Sequence, residues 1–157
     1  MKHIPRHRTF AAFVLLTLVS SVCWGIFADI SNNDLRSQSR KQFAENNIKE
    51  AYDGFSELAI RSDTGGLELV QDMSMLFQCM QRLRKYTDFD QLIEKIIAAH
   101  PKDWRVLSQA IQQYQSVPKH GVLVDNQWQR APQRITGQVL NSTDRDRVRA
   151  LQLFEQA

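Results

Sequence analysis

Residues 67–85 read LELVQDMSMLFQCMQRLRK, and this stretch decides the fold. Leu69, Met73, Leu76, Met80 and Leu83 follow one another at alternating steps of four and three residues. Those steps return each side chain to the same side of an α-helix, so the stretch predicts a long helix with one continuous apolar stripe. Such a stripe needs others of its kind to pack against, and the flanking sequence supplies them.

Upstream, Ile48, Ala51, Tyr52, Phe55, Leu58 and Ala59 share one face of a helix that begins after the turn Asn46-Asn47. Asp34 to about Asn46 predicts an earlier helix, capped by Asn32 or Asn33. Ser62 to Gly66 (SDTGG) separates these two from the long helix. Downstream, Thr87-Asp88-Phe89-Asp90 predicts a helix start, with Thr87 as the cap and Asp90 as a carboxylate at the positive helix end. Phe89, Leu92, Ile93, Ile96 and Ile97 form its buried face. His100-Pro101 ends it, because the residue before a proline avoids the helical region. A fifth helix spans about Asp103 to Gln115, with Trp104, Leu107, Ala110, Ile111 and Tyr114 on one side.

After Gln115 the pattern changes. Ser116-Val117-Pro118 is a breaker, His120-Gly121 reads as a turn, Val122-Leu123-Val124 is a short β-prone run, and Asp125-Asn126 is a second turn before Trp128. A short hairpin or irregular insert is expected near residues 116–140. Residues 129–142 hold Pro132 and Gly137 and little periodicity. A last helix starts at Thr143-Asp144-Arg145-Asp146, again with Thr as the cap, and runs through Val148, Leu151 and Phe154 to the end. One inward stripe cannot hide all of its apolar residues. Leu153 and Phe154 are therefore expected to be exposed and to drive self-association, as if the natural protein continued.

The first 28 residues are of another kind. Lys2, Arg6 and Arg8 form a basic start, Phe10 to Ala28 (FAAFVLLTLVSSVCWGIFA) carries no charge, and Asp29 follows. This is the layout of a secretory signal, with cleavage expected between Ala28 and Asp29. Nineteen apolar-run residues also approach the ~20 that cross a bilayer, so retention as a membrane anchor is the alternative. Val22 is too bulky to precede a lipid-modified Cys23. The reading is an exported protein, periplasmic or extracellular, held at the inner membrane if residues 10–28 stay in place.

The chain has 20 Lys and Arg against 17 Asp and Glu. Lys2, Arg6 and Arg8 account for the excess, so the part from Asp29 onward is balanced. Its basic isoelectric point belongs to the targeting segment, and nucleic-acid binding loses its support. The segments are then 1–28, signal peptide or anchor; 29–115, helical pairs; 116–142, hairpin or irregular; and 143–157, C-terminal helix.

The residues that carry chemistry elsewhere do not assemble here. Cys79, inside a helical pattern, reads as a small half-buried core residue. Cys79, His100 and His120 lack zinc-ligand spacing. Asp88, Asp90 and Glu94 are explained by helix capping and the helix dipole. Arg145, Arg147 and Arg149, alternating with Asp144 and Asp146, read as a salt-bridged, solvated face. No nucleophile elbow, phosphate loop or dinucleotide glycine pattern occurs. No catalytic, cofactor-binding or metal residue is assigned, no cofactor is expected, and the chain is read as not an enzyme.

Two resemblances follow. Phe43, Ala51, Phe55 and Leu58, then Tyr86, Phe89, Ile93, Ile96 and Pro101, then Leu107, Ala110 and Tyr114, resemble degenerate tetratricopeptide repeats over residues 34–115. Ala51 and Phe89 lie farther apart than the repeat of about 34 residues, so SDTGG reads as an insertion. A generic antiparallel bundle would bury the same residues. The runs WRVLSQAIQQY, KHGVLVDNQWQRAP and DRDRVRALQLFEQA, in that order, resemble the N-terminal region of large bacterial alpha-2-macroglobulin-like proteins over about residues 40–157.

The fold expectation is an all-α array of antiparallel helical pairs with a small insert, behind an N-terminal apolar signal helix. The second resemblance implies a non-catalytic interaction module, the front piece of a protease-trapping protein. Its partner would be a protein, a peptide or the later domains of a longer chain. A membrane-tethered scaffold or assembly factor is the alternative. The family's thioester falls on no residue here, since Glu155-Gln156 lacks the preceding cysteine.

Overall fold

The computed structural model describes residues 30–124, 127–130 and 139–157. Ala28 and Asp29, the turn Asp125-Asn126, and Pro132 and Gly137 lie outside the described residues. The helices are α1 (Asn32–Ala44), α2 (Ile48–Ile60), α3 (Gly66–Leu83), α4 (Phe89–Ala99), α5 (Trp104–Ser116) and α6 (Thr143–Gln156). A 3-10 turn, Tyr86–Asp88, leads into α4. Strands β1 (His120–Val124), β2 (Gln127–Arg130) and β3 (Leu140–Asn141) form an antiparallel sheet in the order β2-β1-β3.

The helices pack in pairs. α2 packs on α1 and on α3, and α6 packs on α5. α3 also meets α5, and α2 meets α4. Arg36 on α1 reaches Asp72 on α3 at 2.8 Å, so α1, α3 and α5 line one layer with α2 and α4 behind it. α6 joins the second layer, where Arg149 grips Glu94 of α4 at 2.6 Å.

The stripe that opened the sequence reading is the centre of the core. Leu69, Met73 and Leu76 are fully buried, with Phe55 and Leu58 from α2, Ile93 and Ile96 from α4, and Leu107 from α5. Each such side chain contributes ~1.5–3 kcal/mol on leaving water. Gly54 sits mid-helix where its absent Cβ would strike Ser39, which lets α1 and α2 close up. The close approach offsets the ~0.5–1 kcal/mol by which a mid-helix glycine weakens a helix relative to alanine.

Several details depart from the sequence reading. Ser31, not Asn32 or Asn33, caps α1, accepting the Asp34 N–H at 3.2 Å. Thr87 caps nothing. Its hydroxyl donates to Asp88 Oδ1, and α4 starts at Phe89. Ser142 rather than Thr143 precedes α6. His120-Gly121 is strand, not turn, and Gly121 is required there because the Trp128 ring and the Gln129 carbonyl occupy the space of a Cβ. The expected hairpin is present, while β3 falls in a stretch with no periodic signal. Cys79 is fully buried rather than half-buried, and burial pushes its thiol up to about 11.

Trp104 is 55% exposed because it stands in the first turn of α5, past the edge of its neighbours. On α6 the buried residues are Asp146, Ala150 and Leu153, while Val148, Leu151 and Phe154 face water. The apolar residues of α6 are thus not all hidden, as expected, but of the pair Leu153 and Phe154 expected to be exposed only Phe154 is. Its inward stripe includes a carboxylate, which an apolar-residue search passes over.

Candidate functional site

A groove of about 380 Å³ runs between α3 and α5. Gln78 and Gln81 line it from α3, Gln109 and Gln113 from α5, above a floor that includes Phe77 and Phe89. Phe77 and Phe89 meet at 6.0 Å between ring centroids. The glutamines sit there because the inward stripe of each helix is apolar and the next positions around the helix are amides. Gln109 Nε2 donates to the Ser74 hydroxyl at 3.4 Å, and that hydroxyl donates to the Val70 carbonyl. Gln81 and Gln113 make no side-chain hydrogen bond among the described residues. Each amide offers an acceptor and two donors, so together they suit a chain that presents both N–H and C=O groups.

Beside the groove lies an electrostatic clasp. Arg130 of β2 is fully buried. Its Nη1 donates to the Pro118 carbonyl at 2.7 Å and to the Ser142 hydroxyl at 3.1 Å. Its Nη2 donates to Asp146 at 2.7 Å and to Asp90 at 3.0 Å. The guanidinium lies 4.9 Å from the centroids of both Phe89 and Trp128, and Arg145 covers Trp128 at 4.0 Å. Asp146 also receives Arg145 at 3.0 Å and Lys119 at 3.2 Å. Burial pushes the Asp146 carboxyl up, but Arg130, Arg145 and Lys119 outweigh it and hold the group down at about 2.

The acidic patch of the sequence reading is drawn into this network. Asp90 joins Arg130 and Arg145, and Glu94 accepts from Tyr114 at 2.7 Å and from Arg149. Glu94 feels burial raising its carboxyl, overcome by Arg149 and Tyr114, which lower it. The tyrosine hydroxyl is pushed well up by its own burial and then by Glu94. Asp88 stays apart, 3.3 Å from Lys85. His100 is buried, with Nε2 3.1 Å from the Ala59 carbonyl, so it joins α4 to α2. It lies with neither Cys79 nor His120, and among the described residues no three His, Cys, Asp or Glu side chains converge to hold a metal ion. Arg130 escaped the sequence reading. The one local hint was a strand alternation placing Trp128 and Arg130 on the same face.

The chain matches no family model, no curated protein and no solved structure.

Proposed function

We propose that this chain is an exported, non-catalytic protein-interaction module that receives an extended peptide segment in the groove between α3 and α5. What supports the reading is the groove's lining, four glutamine amides over an aromatic floor. Unlike a charged cleft, it demands no counter-ion. A peptide main chain supplies the hydrogen-bonding partners, and an apolar side chain every second residue meets the floor. The groove's volume is at the low end of ligand-sized clefts, suited to a few residues. Paired helices stacked as a tetratricopeptide-like array provide such a surface without special chemistry. On the resemblance of about residues 40–157 to the N-terminal region of alpha-2-macroglobulin-like proteins, the peptide's source is a later segment of a protease-trapping chain.

Panning of displayed random peptides against the protein tests this, with Gln78→Ala/Gln113→Ala as the counter-target. Peptides that bind the wild type and lose about tenfold or more in affinity on the double variant, the order of one or two hydrogen bonds, are the expected result. A pool that binds both proteins alike would overturn the groove as the site.

A further inference from the structure

α6 turns Asp146, Ala150 and Leu153 inward. Its other side carries Val148 (54% exposed), Leu151 (57%) and Phe154 (73%), one every three residues. None of the other described helices exposes more than one large apolar side chain, so this face stands apart. Leu151 and Phe154 also edge a cleft of about 420 Å³ whose other wall is Ile111, Tyr114 and Gln115 of α5.

The charges along this face decide what can cover it. Arg145 and Arg149 are taken up by Asp90, Asp146 and Glu94. Arg147 and Glu155 are exposed, and neither forms an ion pair among the described residues. They cannot meet within one chain, because the helix between them holds them about 12 Å apart along its axis. A purely anionic or purely cationic partner would satisfy one and repel the other. Their spacing points elsewhere. Arg147 stands four residues before Leu151 and Glu155 four after it, and Val148 stands three before and Phe154 three after. A second α6 laid antiparallel, about a two-fold axis at Leu151, sets positions equally far from Leu151 level with each other. Each Arg147 then comes level with the other chain's Glu155 and each Val148 with the other's Phe154, while Leu151 meets its own copy. Laid parallel, the same helices would set arginine against arginine. Asp144, also without an ion pair, lies a further turn out, at the rim.

We propose that two copies of this chain pair through α6, antiparallel about Leu151, with Arg147 and Glu155 closing the contact on both sides. A two-fold contact requires one patch that complements itself. The face of α6 meets that requirement in both its apolar residues and its charges, and the α5–α6 cleft widens the surface the second copy covers. The inference does not depend on the glutamine groove between α3 and α5.

The test uses the full chain carrying Cys23→Ser, expressed for export and recovered in mild detergent. Sedimentation should show a reversible dimer. Arg147→Glu and Glu155→Arg, each alone, set like charges level with one another and should weaken that dimer about tenfold or more. The two changes together restore opposite charges across the contact and should return the affinity to within about threefold of the unchanged protein. A short bis-maleimide should join two chains through Leu151→Cys but not through Lys49→Cys on the exposed side of α2, with the buried Cys79 left in place. A monomer at every concentration up to the solubility limit would overturn the proposal. So would a dimer that ignores both reversals, or a double variant as weak as the single ones. If circular dichroism shows that a reversal disturbs the fold, the cross-link decides, and its absence at Leu151→Cys overturns the pairing.

Discussion

The molecule holds two buried arginine–aspartate pairs whose surroundings act in opposite senses. Arg36 and Asp72 join α1 to α3, with Arg36 Nε donating to both carboxylate oxygens at 3.0 and 2.8 Å. Arg130 and Asp146 join the sheet to α6. Asp72 is raised from its ordinary value, because burial outweighs the help of Arg36 and Arg40 and Glu68 adds repulsion. Asp146 is lowered despite its burial, because three cations and the Ser142 hydroxyl converge on it. Ion-pair contact alone therefore does not decide whether a buried carboxylate is stabilised. The number of donors that replace its lost water does.

The largest expected effect comes from breaking the crowded pair. Asp146→Asn leaves the fully buried Arg130 with only the partly exposed Asp90 as counter-ion, and should cost ~3–5 kcal/mol in urea unfolding. A loss below about 1 kcal/mol would show that Asp90 suffices. Next is the acid response. The Asp146 carboxyl is held at about 2 against 3.8 for the free group. Its stabilisation is present above the unfolded value and disappears as pH falls through the folded one. The loss amounts to about 2 kcal/mol between roughly pH 5 and pH 1, and unfolding monitored by circular dichroism across that window would show it.

Asp72 has the opposite sign. Its raised carboxyl contributes stability that is complete below the unfolded value and lost as pH rises through the folded one. Asp72→Asn should therefore cost only ~1 kcal/mol at neutral pH, near the value of one hydrogen bond, and should remove this opposing acid contribution. Arg36 keeps Glu68 at 3.1 Å and Asn33 at 3.1 Å after the change. If Asp72→Asn proves as damaging as Asp146→Asn, the donor-count explanation fails. The smallest effect sets the scale. Arg149 and Glu94 form a partly exposed pair, so Arg149→Met should cost under ~1 kcal/mol, and raising the salt concentration should shrink the difference.

The parts legible in the sequence are those whose cause is local. The stripe of residues 67–85 announced α3, and the break at SDTGG announced its start, because helix period and backbone punctuation act within a few residues. The β-prone run before Trp128 announced the hairpin for the same reason. Asp90 and Asp146 show where that logic stops. Each stands three residues after a threonine, so each reads as a capping acid, yet both serve an arginine that the chain delivers from 40 and 16 residues away. The groove was hidden for a related reason. Gln78 and Gln113 are unremarkable helix-surface residues until the packing of α3 on α5 sets them on facing walls.

The position of Arg130 in the chain has a consequence for how the protein opens. From α1 to α5 each helix follows its predecessor after a short turn, whereas residues 117–142 intervene before α6. Closing that longer connection costs conformational entropy before any contact of α6 is gained, and the buried carboxylate of α6, Asp146, depends on the Arg130 guanidinium. The final helix is thus the natural candidate for separate release. Its amides should exchange with deuterium at a lower free energy than those of α2 and α3, as a cooperative unit distinct from the rest. Release would uncover the flank of α5 around Ile111 and Tyr114 while leaving α2 and α3 folded, so loss of the clasp would register as partial opening rather than as collapse.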